Sequence, residues 1–78
     1  MITLDLHGYH LHGAWNEFKR FTDDVYYMKE IKFRVITGHG RIKEELPYWA
    51  DQIPKIRLVR PSHDGGAFTI FLTKLHKR

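Results

Sequence analysis

The chain contains no cysteine, which excludes disulfide staples and thiolate metal sites and makes a reducing cytoplasm its natural home. No apolar run approaches the ~20 residues that span a bilayer, and the start lacks the basic, apolar and small-residue succession of a signal peptide. A soluble cytoplasmic protein without a membrane partner is expected. Repeats, linkers and low-complexity stretches are also lacking. With 78 residues, one domain covering 1–78 is expected, near the lower limit at which a core holds without staples. Acidic side chains are scarce in the second part of the chain. Residues 31–78 hold ten basic groups against four acidic, whereas residues 1–30 hold three basic (Lys19, Arg20, Lys29) against five acidic (Asp5, Glu17, Asp23, Asp24, Glu30). The net charge of +4 therefore belongs to the second part. Such a field favours polyanions, nucleic acid before acidic membrane, although a small domain also needs net charge for solubility.

Hydrophobic periodicity gives the element order. Ile2, Leu4 and Leu6 alternate with Thr3, Asp5 and His7, as in a half-buried strand, so Asp5 and His7 point the same way. Gly8 suits a sharp turn into a helix. From about Tyr9 to Met28 the apolar positions Leu11, Ala14, Trp15, Phe18, Phe21, Val25 and Met28 recur every three or four residues, the stripe of an amphipathic helix. Gly13 costs some helix stability and would let the helix approach the sheet. Ile31, Phe33 and Val35 alternate with Lys32 and Arg34 as a second strand. Strand, helix and strand at this spacing form a parallel right-handed crossover, which sets the ends of both strands at the same edge of a sheet.

Gly38-His39-Gly40 opens a shorter helix, about Ile42 to Ala50, with Ile42, Leu46 and Trp49 inward and a break or kink expected at Pro47. Ile56, Leu58 and Arg60 alternate with Arg57 and Val59 in a third strand. Pro61 to Gly66 is a loop, and Ala67 to Leu75 a β-branched and aromatic fourth strand. His76-Lys77-Arg78 reads as a frayed basic tail. The expected fold is α/β, as an α+β two-layer sandwich: a β-α-β-α-β-β chain, a four-stranded mixed sheet and two helices on one face. The opposite face would present Asp5, Arg34, Arg57 and Thr69 to solvent or a ligand.

Leu4-Asp5-Leu6-His7-Gly8, a helix carrying an alanine and large apolar residues, Thr37-Gly38-His39-Gly40, Ile42-Lys43 and Leu46-Pro47-x-Trp49 together resemble the small MutS-related (Smr) domain over nearly the whole chain. The resemblance implies a stand-alone Smr-like domain whose fold is similar to the C-terminal domain of bacterial translation initiation factor three. It also implies an endonuclease or nicking activity on RNA or DNA, associated in the family with the aspartate and histidine of the first corner, here Asp5 and His7. The glycine corner maps to Gly38 and Gly40. The place between these glycines, often lysine in relatives, is His39. Gly65-Gly66 runs straight into Ala67-Phe68, so a glycine-rich turn seen in many relatives looks shortened.

A glycine corner opening a helix leaves backbone N–H groups unpaired at the positive end of the helix dipole, a place that suits phosphate. Gly38, His39 and Gly40 have this arrangement with Arg41 and Lys43 beside them; a plain tight turn is the alternative. Phosphodiester cleavage needs a proton removed from the nucleophile, one given to the leaving oxygen, and charge stabilisation at the phosphoryl group. Histidine titrates near neutral pH, so His7 and His39 are candidates to share the proton transfers. Asp5 is a candidate to orient His7 or to hold Mg²⁺ or Mn²⁺; with RNA, the 2′-hydroxyl can be the nucleophile without a metal. A structural account competes, in which Asp5 accepts N–H groups of the neighbouring corner and His7 caps the first helix.

His7, His10 and His12 invite a zinc reading that their spacing supports only in part, and His63 and His76 read as loop and tail. Lys32, Arg34, Lys55, Arg57, Arg60 and Lys74 come from strands or strand ends and are candidates for a basic surface on backbone phosphates. Tyr26, Tyr27 and Tyr48 are candidates for stacking on bases or for the rim of the core, and Trp15 and Trp49 for packing. The alternatives to a nuclease are a non-catalytic nucleic-acid-binding module and a ribosome or repair-complex interaction domain. A monomer is the expected state.

Overall fold

The computed structural model describes residues 1–74. Strand β1 (Thr3–Asp5), helix α1 (Leu11–Tyr27), β2 (Lys32–Ile36), α2 (Arg41–Asp51), β3 (Ile56–Pro61) and β4 (Ala67–Leu72) follow in the expected order. β4 ends at Leu72, short of the expected Leu75: Thr73 and Lys74 already lie past the strand, while Leu75 and the tail His76-Lys77-Arg78 lie outside the described residues. The sheet runs β1-β2-β4-β3. β1 and β2 are parallel, and β4 is antiparallel to both β2 and β3.

The stripe of α1 buries Ala14, Phe18 and Val25 against the inner sheet residues Leu4, Leu6, Phe33, Val35, Ile70 and Leu72. Phe18 and Phe33 rings lie 6.2 Å apart, and each such fully buried side chain contributes about 1.5–3 kcal/mol. Two readings of this helix are corrected. Met28 is 56% exposed, because the helix has already closed: Lys29 takes a left-handed φ of 65°, and the N–H groups of Lys29 and Glu30 return to the carbonyls of Tyr26 and Val25, a Schellman ending. Gly13 does not bring the helix onto the sheet, since a Cβ there would meet only the Tyr9 ring, at 3.8 Å. Thr22 is fully buried, which its polarity concealed; its hydroxyl donates to the Phe18 carbonyl at 2.8 Å.

Helix α2 runs through Pro47 without the expected break. A proline inside a helix costs about 3 kcal/mol, but Pro47 stands on the exposed side while Leu46, Trp49 and Ala50 around it are buried. Burial of that size offsets the lost bond. Trp49 also packs on Trp15, centroids 5.3 Å apart, and joins the two helices. Ile31 is 53% exposed and precedes β2 rather than alternating within it.

Strand β3 departs furthest from simple alternation. Ile56 pairs with Leu72 and Val59 with Ile70, with an irregularity between Ile56 and Leu58. This bulge resets the parity, so Ile56 and Val59 pack on the core and Leu58 faces outward. The helices cover one face of the sheet, and Lys32, Arg34 and Arg60 stand on the other, all exposed.

Candidate active site

Register decides what meets at the strand ends. Asp5 is opposite Ile36 and Ile36 opposite Ala67, so the ends of β1 and β2 and the start of β4 share one rim. The bend after β1, the corner after β2 and the β3–β4 hairpin therefore lie together. Gly8 and Gly38 adopt φ of 88° and 73°, left-handed values that favour glycine. A Cβ at Gly38 would stand 3.7 Å from His7 Cδ2, which puts the imidazole against the glycine corner. Between the two bends is a cleft of about 290 Å³ lined by residues that include His7, Thr37, Gly38, His39, Gly40 and Arg41.

Asp5 Oδ1 accepts the backbone N–H of His7 at 3.0 Å. The carboxylate thus braces its own bend, not the neighbouring corner, and it acts on the His7 backbone rather than the ring. Nor does His7 cap α1, whose N-cap is His10 without a side-chain bond. Gly40 caps α2, also without a side-chain bond. Two helix starts with their N–H groups left to solvent or ligand thus stand beside the cleft, whose lining includes Leu11 and Ile42 from their first turns. Arg41 is exposed and 3.7–3.9 Å from Glu45 and Glu44, pairs that hold it weakly in water.

The hairpin, marked in the sequence only as a shortened glycine-rich turn, contributes residues that sequence reasoning did not place in the site. Gly66 carbonyl accepts Thr37 N–H at 3.0 Å and Gly38 N–H at 3.1 Å, which locks the glycine corner. Asp64 Oδ1 accepts Gly66 N–H at 3.0 Å and the Ser62 hydroxyl at 2.8 Å. These two bonds, then the nearby His39 and Arg34, hold the Asp64 carboxyl below the usual carboxylate range. A Cβ at Gly66 would come within 3.2 Å of His39 Nε2, and one at Gly65 within 2.9 Å of Lys43 Nζ. Gly65-Gly66 is the bed on which His39 and Lys43 rest. The antiparallel order of the last two strands is the signal that could have found it, since it returns their turn to this rim.

The basic candidates separate into two groups. Lys32, Arg57 and Arg60 gather on the open face around Phe71, and Arg34 lies two pairs further toward the rim, opposite Thr69. Lys55 stands apart from them. It pairs with Asp23 at 3.2 Å, which raises its pKa, and sits over Tyr26 and Tyr27. Lys74 is exposed, just beyond the far end of β4, where Thr73 N–H bonds Lys55 carbonyl. Tyr48 is exposed on α2. A larger groove of about 430 Å³ between the end of α2 and β3 is lined mostly by apolar residues, and of the candidate site residues it takes in Arg57.

Among the described residues no three His, Asp or Glu side chains converge as a metal site, and histidines 7, 10 and 12 are not brought together as a ligand set. Asp5 offers one hard oxygen ligand, which suits a Mg²⁺ or Mn²⁺ ion held jointly with a substrate phosphate rather than by protein alone. Such an ion would supply charge neutralisation at the phosphoryl oxygens.

A mixed sheet backed by two helices, with a cleft where its loops meet, defines the class: an α+β two-layer domain carrying its two glycine corners at one rim. The family model of the Smr domain matches residues 4–73, and the chain belongs to that family. The Smr domain of Thermus thermophilus MutS2 has the same fold, with a TM-score of 0.87 at 14% identity over 94% of this chain and 99% of that one. No curated protein matches the chain.

Proposed function

We propose that this Smr domain is an endonuclease or nicking enzyme acting on the phosphodiester bonds of RNA or DNA. The observation that carries the reading is the abutment of His7 on Gly38, 3.7 Å from the glycine's Cβ position, within a cleft that also holds His39 and the start of α2. A phosphate seated on the first N–H groups of α2 meets the helix dipole and the charges of Arg41 and Lys43. His7 takes the proton of the attacking hydroxyl or water, and His39 gives one to the leaving oxygen. Asp5 is a positioning residue: it holds the bend that aims His7. The basic open face supports binding of nucleic acid whether or not it is cut.

The test is cleavage of labelled RNA and DNA with Mg²⁺, with Mn²⁺ and with chelator. His7→Ala and His39→Ala should each lose about 10²–10⁴-fold in rate, with binding and thermal unfolding retained. Asp5→Asn should lose less, because an amide oxygen still accepts the His7 N–H. Cutting that survives His7→Ala and His39→Ala sinks the proposal. Binding without cutting by the unaltered chain would leave a nucleic-acid-binding module.

A further inference from the structure

Phe71 is an aromatic ring on the face of the sheet that the helices leave open. It is half-buried, and Leu58 beside it in the register is 40% exposed. Arg57 Cζ, Lys32 Nζ and Arg60 Cζ stand 5.7, 5.9 and 5.9 Å from the ring centroid. Among the described residues none of these three cations, nor Arg34, is in an ion pair; the acidic partners all go to Arg20, Arg41 and Lys55. Like charges on neighbouring strands repel. A face built only to stabilise the sheet would interleave carboxylates here, as α1 does with Glu17 and Arg20.

We propose that Phe71 and its three cations form a platform for an unpaired strand of nucleic acid, one base stacking on the ring while flanking phosphates meet Arg57, Arg60 and Lys32. The chemistry selects that occupant. An acidic polypeptide would satisfy the cations but leaves the ring uncovered, and a duplex presents phosphates while keeping its base faces stacked inside. RNA and DNA share the base face and the phosphate, so both are accepted when single-stranded. The pair Lys32–Phe71 lies four residues from the pair Ile36–Ala67 at the rim, about 13 Å along the strands. That is a span of only a few nucleotides, and Arg34 and Thr69 lie between. A strand with one phosphate in the cleft can lay a nearby base on Phe71. The proposal rests on nucleic acid being the substrate, not on its being cut.

The experiment measures affinities of the full chain for labelled single-stranded RNA, single-stranded DNA and the matching duplex, with Phe71→Leu and Phe71→Tyr beside the unaltered protein. Stacking is worth about 1–3 kcal/mol per base, so Phe71→Leu should weaken both single strands by about fivefold to a hundredfold or more and the duplex by less than about twofold on the same scale. Phe71→Tyr keeps the stacking face and should bind like the unaltered chain, which separates lost stacking from lost folding; thermal unfolding of both variants completes that control. Equal affinity of Phe71→Leu for single strands overturns the platform, as does an equal loss for duplex or tighter binding of polyglutamate than of single strands. Phe71-dependent binding by a chain that cuts nothing upholds the platform while the nuclease reading falls. Cutting by Phe71→Leu at unchanged affinity does the reverse.

Discussion

Replacing Gly66 by alanine separates the role of the hairpin from the stability of the fold. The added Cβ would sit 3.2 Å from His39 Nε2 and 3.7 Å from Asp64 Oδ1, so a few tenths of an ångström must be absorbed by the loop or by the imidazole. The loop is held by Gly66 carbonyl to Thr37 and Gly38 and by Gly66 N–H to Asp64. Those bonds are worth about 0.5–1.5 kcal/mol each, whereas pushing an exposed side chain off its rotamer costs about 0.5–1.5 kcal/mol once. His39 is exposed, so the ring moves. The expected loss of stability is about 1 kcal/mol, a fall in Tm of about 4–8 °C for a domain this small. A misplacement of about 1 Å at a reacting group costs about a hundredfold; a shift of a few tenths should cost about tenfold in single-turnover rate, with affinity unchanged because the backbone cradle stays. Cleavage kinetics, thermal unfolding and the His39 side-chain NMR signals read the three effects separately. Full cleavage with a shifted His39 signal would remove His39 from the chemistry, and a Tm loss well beyond that range with an unmoved signal would show that the loop yields instead.

The Asp64 carboxyl is held low in the fold by Gly66 N–H first and the Ser62 hydroxyl second, so its contribution is complete above the ordinary carboxylate pKa of about 4 and disappears as the pH falls through the lowered folded value. Asp64→Asn should therefore unfold at lower temperature than the unaltered chain at neutral pH, and the gap in Tm should close in acid; a constant gap from neutral pH down to acid refutes this. For nucleic-acid affinity against salt, Arg34→Gln should reduce the log–log slope by about 0.7 for each phosphate it no longer neutralises on a single strand, while Lys55→Gln, whose charge already faces Asp23, should leave it unchanged. Equal slope changes for the two variants would place the phosphate path elsewhere.

The site's two histidine corners are legible in the chain because a strand–helix–strand crossover of this length admits essentially one hand and one relative direction. Once β1 and β2 are parallel neighbours, Gly8 and Gly38 must share a rim, whatever the side chains do. What escapes depends on pairing between distant residues. The bulge between Ile56 and Leu58 has no local signature in Lys55-Ile56-Arg57-Leu58, and it exchanges the faces of Leu58 and Val59. The antiparallel register then sets Phe71 against Lys32 and brings Arg57 and Arg60 to the same ring; alternation alone gives no such meeting. Basic neighbours in the chain group Lys55 with the basic surface, but it pairs with Asp23 across the fold. Pro47 fails as a breaker because the burial of Leu46, Trp49 and Ala50 holds the last turns on the core.

Sheet order also decides whether the cleft and the open face lie within reach of one strand, as the proposed platform requires. Had β3 joined the β1 edge, its connection to β4 would still cross at the same end, but β1 and β2 would separate Arg57 and Arg60 from Phe71. Placing β4 between β2 and β3 instead sets Phe71 in an inner strand with Lys32 on one side and Arg60 on the other. The same placement pairs Ala67 with Ile36, so the Gly66 carbonyl reaches the N–H groups of Thr37 and Gly38. One strand therefore fixes both the bed under His39 and the aromatic floor of the basic face. Any slip of β4 by a residue would move Phe71 to the helix side and draw Gly66 away from His39 together, which ties the geometry of the cleft to that of the platform.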